Sequence, residues 1–191
     1  MQITNTKRKL CGALTLLSVL PGCNAMGRVP PNAPNLTDAQ RRLKDVGLVL
    51  VVDAVPGVEM LGNEFFADGS DRPFYASSTT RKGNRAIMAF PISVVPEQVR
   101  VVWRNSSKLV RRADNPSMTT YAGNILGDYT FPIASRIPDE VVKEIRKNGG
   151  GLRLKFRLKP DGVLFGWDIE RFAGGLPRHS MPGGDFLETE Y

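Results

Sequence analysis

Histidine and cysteine are nearly missing from this chain: one histidine, His179, and two cysteines, Cys11 and Cys23, among 191 residues. They leave no Cys/His set for a zinc site. A catalytic triad or an imidazole base would have to be built around His179, which sits in a Gly/Pro-rich tail. Gly-x-Ser-x-Gly does not occur, so there is no nucleophile elbow. Gly123-Asn124-Ile125-Leu126-Gly127 lacks the lysine and the spacing of a phosphate loop. The acid pairs Asp139/Glu140 and Asp168/Glu170 are explained by helix capping and by a strand ladder. No apolar run reaches the roughly 20 residues that span a bilayer, and no repeat or heptad is present. The chain reads as a binding protein rather than an enzyme, with no metal, no cofactor and no small-molecule substrate.

What is present begins at the N-terminus. Lys7-Arg8-Lys9 precedes a mostly apolar run over residues 10–20, and Leu20-Pro21-Gly22-Cys23 closes it. A basic segment, a short apolar segment and a small residue before a cut site predict a secretory signal peptide over residues 1–22. Leu-x-Gly-Cys at the end of that segment resembles a bacterial lipobox. The resemblance implies that the Cys23 thiol is diacylated, that the chain is cut just before it, and that the new amine is often acylated too. Each buried methylene contributes about 0.8 kcal/mol, and two or more acyl chains give stable attachment where one is marginal. Asn24, not Asp, follows the cysteine. By the same resemblance the protein belongs in the cell envelope, on the outer membrane facing the periplasm.

Cleavage changes the composition. Losing Lys7, Arg8 and Lys9 lowers the formal charge from +7 to +4, an ordinary value that does not argue for nucleic acid. Cys11 goes with the signal peptide and Cys23 becomes a thioether. The mature domain then has neither a free thiol nor a disulfide, although the periplasm permits one. Its stability has to come from packing. About 135 residues suffice for a single core that buries roughly two thirds of the unfolded chain's surface.

Residues 23–37 form a Pro-rich spacer behind the lipidated cysteine, residues 38–172 one β-rich domain, and residues 173–191 a flexible Gly/Pro-rich tail. The expected fold class is α+β, mainly antiparallel, a compact sandwich-like sheet domain with one or two short helices. Thr37-Asp38 caps a short helix over residues 39–44. Residues 48–52 are a continuous apolar strand. Short strands and loops follow over 57–84, with 77–84 a polar connection. Further strands cover 85–92, with an edge or bulged end, and 99–104. Residues 105–128 read as loop and 129–133 as a short strand. Pro138, Asp139 and Glu140 start a second helix, Val141, Val142 and Ile145 line its buried face, and Gly149-Gly150-Gly151 ends it.

Residues 152–158 and 163–169 alternate apolar and polar on either side of Asp161-Gly162. A two-residue turn there predicts Leu158 opposite Phe165, Phe156 opposite Trp167, Lys155 opposite Asp168 and Arg153 opposite Glu170. One face is core and the other a solvated charge ladder.

Three basic sets stand out: Arg81/Lys82/Arg85, Lys108/Arg111/Arg112 and Arg153/Lys155/Arg157/Lys159. Asp168 and Glu170 neutralise half of the last. Lys108, Arg111 and Arg112 have no such acid beside them and are the candidate partner-binding residues. The layout as a whole, with the lipobox at residues 20–23, a spacer, a β-rich domain with strands such as 99–104, and a closing hairpin over 152–169, resembles a group of small proteobacterial lipoproteins. These are immunity partners of type VI secretion effectors, particularly antibacterial lipases. The resemblance implies a periplasm-facing protein that covers a toxin's active site, with Cys23 as the one family residue carried over. The alternative is a structural or assembly lipoprotein of an envelope complex.

Overall fold

A computed structural model describes residues 36–82, 86–90 and 92–190 of the chain. The signal peptide, Cys23 and the spacer up to residue 35 lie outside the described residues, as does Arg85.

Thr37 opens the fold as the N-cap of α1 (Asp38–Arg42), in a capping box with Gln40. Its side chain accepts from the Gln40 N–H while Gln40 returns the bond to the Thr37 N–H, which satisfies two otherwise orphaned donors. Eleven strands follow: β1 Gly47–Ala54, β2 Glu59–Ala67, β3 Tyr75–Arg81, β4 Ala86–Ala89, β5 Gln98–Arg104, β6 Leu109–Arg111, β7 Thr119–Tyr121, β8 Ile125–Pro132, β9 Gly151–Lys159, β10 Gly162–Ala173 and β11 Leu176–Gly184. A 3-10 turn, Ala134–Arg136, and helix α2, Asp139–Asn148, stand between β8 and β9.

The strands form two main sheets, sheet A in the order β11-β10-β9-β1-β4 and sheet B in the order β3-β2-β5-β8, with β6-β7 as a separate hairpin. The fold is the expected α+β, mainly antiparallel, sandwich-like domain. One pairing departs from antiparallel: β1 lies parallel to β9, with Gly47 facing Gly151 and Ala54 facing Leu158. A parallel pair needs a crossover rather than a tight turn, and everything from β2 to α2 lies in that connection.

Alternation drives the packing. Leu152, Leu154, Phe156 and Leu158 point inward from β9, and Val99, Val101 and Trp103 from β5; all are buried. Phe156 sits edge-on to Phe65 at 5.5 Å and beside Phe165 at 5.4 Å. These rings join the two sheets, and fully burying each contributes about 1.5–3 kcal/mol. Val141, Val142 and Ile145 of α2 enter the same core. Trp103 stacks on Tyr129 at 5.2 Å, and its ring passes directly over Gly127.

β1 and β9 start at the same end of the sandwich, and α1, the 3-10 turn and α2 gather there. Arg42 donates to the Ala134 carbonyl at 3.0 Å, pairs with Asp139, and receives Arg146 on its own carbonyl at 2.9 Å. The β6-β7 hairpin leaves and rejoins sheet B at the other end, between β5 and β8.

Several expectations need correction. Residues 77–81 of the expected polar connection belong to strand β3, where β-branched Thr79 and Thr80 suit an edge strand. Residues 105–128 are not loop throughout: they contain β6, β7 and the start of β8. Residues 176–184 of the expected flexible tail are strand β11, which pairs with β10 from Ala173↔Leu176 to Gly166↔Gly184.

The β9-β10 register also differs by two residues. Val163 faces Leu158, Phe165 faces Phe156, Trp167 faces Leu154 and Asp168 faces Arg153. The turn residues are Pro160-Asp161, flanked by the Lys159↔Gly162 pair. Proline presets the φ of a turn's first central residue, and Lys159 reaches Asp161 at 3.0 Å. A shift of two keeps every side chain on its face, so the inward set was right while its partners were not.

Candidate functional site

The outer face of sheet B carries a cleft of about 550 Å³ beneath the β6-β7 hairpin. Period-two alternation turns Glu64 and Phe66 of β2, and Arg100, Val102 and Arg104 of β5, onto that face. The hairpin supplies Val110, Arg111, Arg112 and Thr120 from above. Glu64 is buried, accepts a hydrogen bond from Thr120 Oγ1 at 2.8 Å, and lies 3.7 Å from Arg104 Nε. That Nε is buried and donates to no acceptor. Burial pushes the neighbouring Tyr121 hydroxyl up, and the Glu64 charge adds to it.

Two of the three expected partner-binding residues line this cleft. Arg112 is not without an acid: it grips Asp114 through Nε at 2.9 Å and Nη2 at 2.5 Å, and donates to the Asp71 carbonyl at 2.7 Å. Arg112 in turn holds the Asp114 carboxyl below its usual range. Arg111 donates to the Pro116 carbonyl at 2.9 Å. Lys108 lies just before β6 and is exposed. On the cleft floor Arg100 and Asp128 form a second forked pair at 2.7 and 2.5 Å. Their hydrogen bonds raise the arginine and lower the aspartate. At the base of the hairpin Leu109, Ile125 and Leu126 are exposed apolar side chains. Sequence reasoning missed Glu64 and Arg104, because nothing in the residues told which strand face the hairpin would cover.

The third basic set has a different environment from the one expected. Arg153, Lys155 and Arg157 are not a solvated ladder; their exposures are 2%, 0% and 5%. Arg153 makes a forked pair with buried Asp168, 2.7 Å on each side, and Lys155 reaches the same carboxylate at 3.0 Å. Arg157 makes a forked pair with buried Asp53 at 2.9 and 2.8 Å. Residues 185–190 then cross over the row as a strap. The Thr189 carbonyl accepts from Arg153 and the Glu188 carbonyl from Lys155, both at 2.7 Å. The Glu188 carboxylate meets Arg157 at 2.7 Å and Lys82 at 2.9 Å. The Phe186 ring covers Lys155 and Arg157 at 5.0 and 4.5 Å.

Burial lowers the Lys155 pKa, with Asp168 opposing. Burial also works against Arg157, but its bonds to Asp53 and Glu188 outweigh this and raise it above the usual guanidinium value. The row is an internal polar layer of the fold. Lys159 lies at its solvent end.

His179 is not in a loose tail. It stands on β11 with its Nε2 3.2 Å from Glu170 Oε2. Among the described residues no group of three or more His, Cys, Asp and Glu is placed to hold a metal ion. None of the helices described is long and apolar enough to cross a membrane. Comparison with known proteins finds no matching family model, no matching curated protein and no matching solved structure.

Proposed function

We propose that the protein is an envelope lipoprotein, anchored through Cys23 on the outer membrane facing the periplasm, whose domain binds a protein partner. The partner is a type VI secretion lipase effector, which the domain neutralises by covering it. The observation that supports binding at the sheet B cleft is the cleft itself, about 550 Å³ on the outer face of the sheet and lined by Arg111 and Arg112. Leu109, Ile125 and Leu126 beside the cleft offer apolar contact area, and Lys108, Arg111 and Arg112 supply the charge that steers an acidic partner.

Affinity capture from the envelope of the same organism, read by mass spectrometry, is expected to return a one-to-one complex with a lipase. Deleting the gene is expected to sensitise cells to that lipase. Unchanged sensitivity to every periplasmic effector of the cell overturns the immunity reading. Cys23→Ser is expected to abolish acylation and leave the protein soluble or unprocessed; unchanged processing and membrane association overturn the anchor.

The alternative, an assembly lipoprotein, draws support from β8. This eight-residue strand ends sheet B, and such an edge can pair with another chain. Mild cross-linking that isolates a stable envelope complex instead of an effector favours it.

A further inference from the structure

We propose that the tip of the β10-β11 hairpin is a membrane-contacting element that sets Phe172 and Leu176 into the interface of an anionic bilayer. The pairing of β10 with β9 ends at Glu170↔Gly151. Beyond it, Arg171–Ala173 and Leu176–Arg178 continue as a two-stranded ribbon with no third strand beside it. Three residues at roughly 3.3 Å each carry the tip about 10 Å past the sheet. Gly174 and Gly175 turn the chain with φ of 61° and 80°, the backbone of a tight hairpin turn. Around them stand Phe172, Ala173, Leu176 and Pro177. Phe172 is 72% exposed and Leu176 61%, although both are large apolar side chains at the point of the fold that projects.

The charges behind the tip suit a lipid surface. Arg178 is exposed on β11, Arg146 and Lys147 are exposed in the last turn of α2, and Lys44 is exposed just before β1. The exposed Asp45 opposes them, but the other nearby acids are occupied. Glu144 is engaged by Arg171 at 3.0 Å, and Glu170 by His179 at 3.2 Å and Arg153 at 3.8 Å. Apolar side chains in front and long cations behind are the arrangement of an interfacial anchor, with the cations at the level of the headgroups.

Position selects the same partner. Leu36 enters the domain at this end of the sandwich: α1, which it precedes, is joined to the 3-10 turn and α2. Residues 24–35 link Leu36 to Cys23. The proposal deepens the anchor reading and rests on it for the identity of the surface. It orients the domain tip-down, with the base of the β6-β7 hairpin directed away from the bilayer.

The test uses the full protein as the cell processes it, mixed with or reconstituted into vesicles of phosphatidylglycerol and phosphatidylcholine carrying brominated acyl chains. Phe172→Trp is compared with Ile125→Trp at the opposite end, and the unsubstituted protein gives the background of Trp103 and Trp167. Both variants are first checked for an unchanged melting temperature. Quenching at 172 is expected to exceed that at 125 several-fold, and to fall several-fold when phosphatidylglycerol is omitted. Labelled palmitate at Cys23 reads the anchor separately. Acylation without quenching at 172 overturns the tip contact and leaves the anchor standing. Quenching at 172 without acylation keeps the tip contact and overturns the anchor. A photo-crosslinker at 172 that captures a protein rather than lipid in whole cells also overturns the proposal.

Discussion

Asp168 faces Arg153 across the β9-β10 ladder, and its carboxylate takes Nε and Nη2 at 2.7 Å each with both side chains out of water. Lys155 adds a third contact to the same carboxylate at 3.0 Å. One buried anion therefore contacts two buried cations.

Removing that anion is expected to be far worse than removing a cation. Asp168→Asn leaves Arg153 and Lys155 buried without their carboxylate and is expected to cost about 3–5 kcal/mol, the usual penalty for breaking a buried pair from one side. Lys155→Met keeps the Arg153–Asp168 fork and replaces an ammonium that burial already disfavours. It is expected to shift stability by less than about 1.5 kcal/mol, as shape-conserving core changes do. Urea denaturation of both variants checks the contrast, and equal losses would contradict it.

The strap is expected to open in acid. Lys82 and Arg157 hold the Glu188 carboxyl below its usual value. Burial works against Asp185, but Arg136 and the Phe165 N–H outweigh it and hold that carboxyl low as well. A carboxyl with a depressed folded pKa contributes stability that is complete above its ordinary value, near 4, and is lost as pH falls through the folded value. Amide exchange over residues 185–190 is therefore expected to accelerate, relative to the core, as pH drops below about 4. Glu188→Gln is expected to make that dependence shallower. Exchange that follows pH identically in the two proteins would rule out Glu188 as a latch.

Gly127 is expected to tolerate no side chain. A Cβ there would stand 2.1 Å from the Trp103 ring, which stacks on Tyr129 at an interplanar angle of 7°. Gly127→Ala forces the indole off its seat, and overpacking of this kind costs about 1–3 kcal/mol. Calorimetry reads the loss, and the tryptophan emission maximum is expected to move to the red.

Much of the local structure was legible. Thr37-Asp38 marked the cap of a short helix, and Pro138-Asp139-Glu140 marked the start of α2. The alternation through residues 152–169 told which side chains face the core. What failed was long-range. Alternating Arg and Lys describe a face turned away from the apolar core, but not whether water or another segment covers it. The buried acid Asp53 lies on β1, remote in sequence from Arg157, and the covering strap meets the row through Phe186, Glu188 and the Thr189 carbonyl. Nothing local announces either. The cleft was half legible for the same reason. Arg111 and Arg112 were visible as a basic run, while Glu64 and Arg104 acquired their setting only when the β6-β7 hairpin folded over them.

The parallel β1-β9 pair fixes an order of events. Strands β2, β3, β5 and β8 come from one continuous middle stretch of the chain, residues 59–132, and sheet B can assemble as soon as that stretch exists. β1 is made earlier and can pair with β4 along one edge, from Val49↔Ala89 to Val52↔Ala86, but its other edge finds β9 only after residue 151 has followed, and loop closure over such a span is slow. During N-to-C synthesis or threading through a pore, an apolar strand thus waits with one edge open while most of the protein passes it. A molecule halted before residue 151 would hold a finished half-sandwich and a sticky leading strand, the kind of species that chaperones retain.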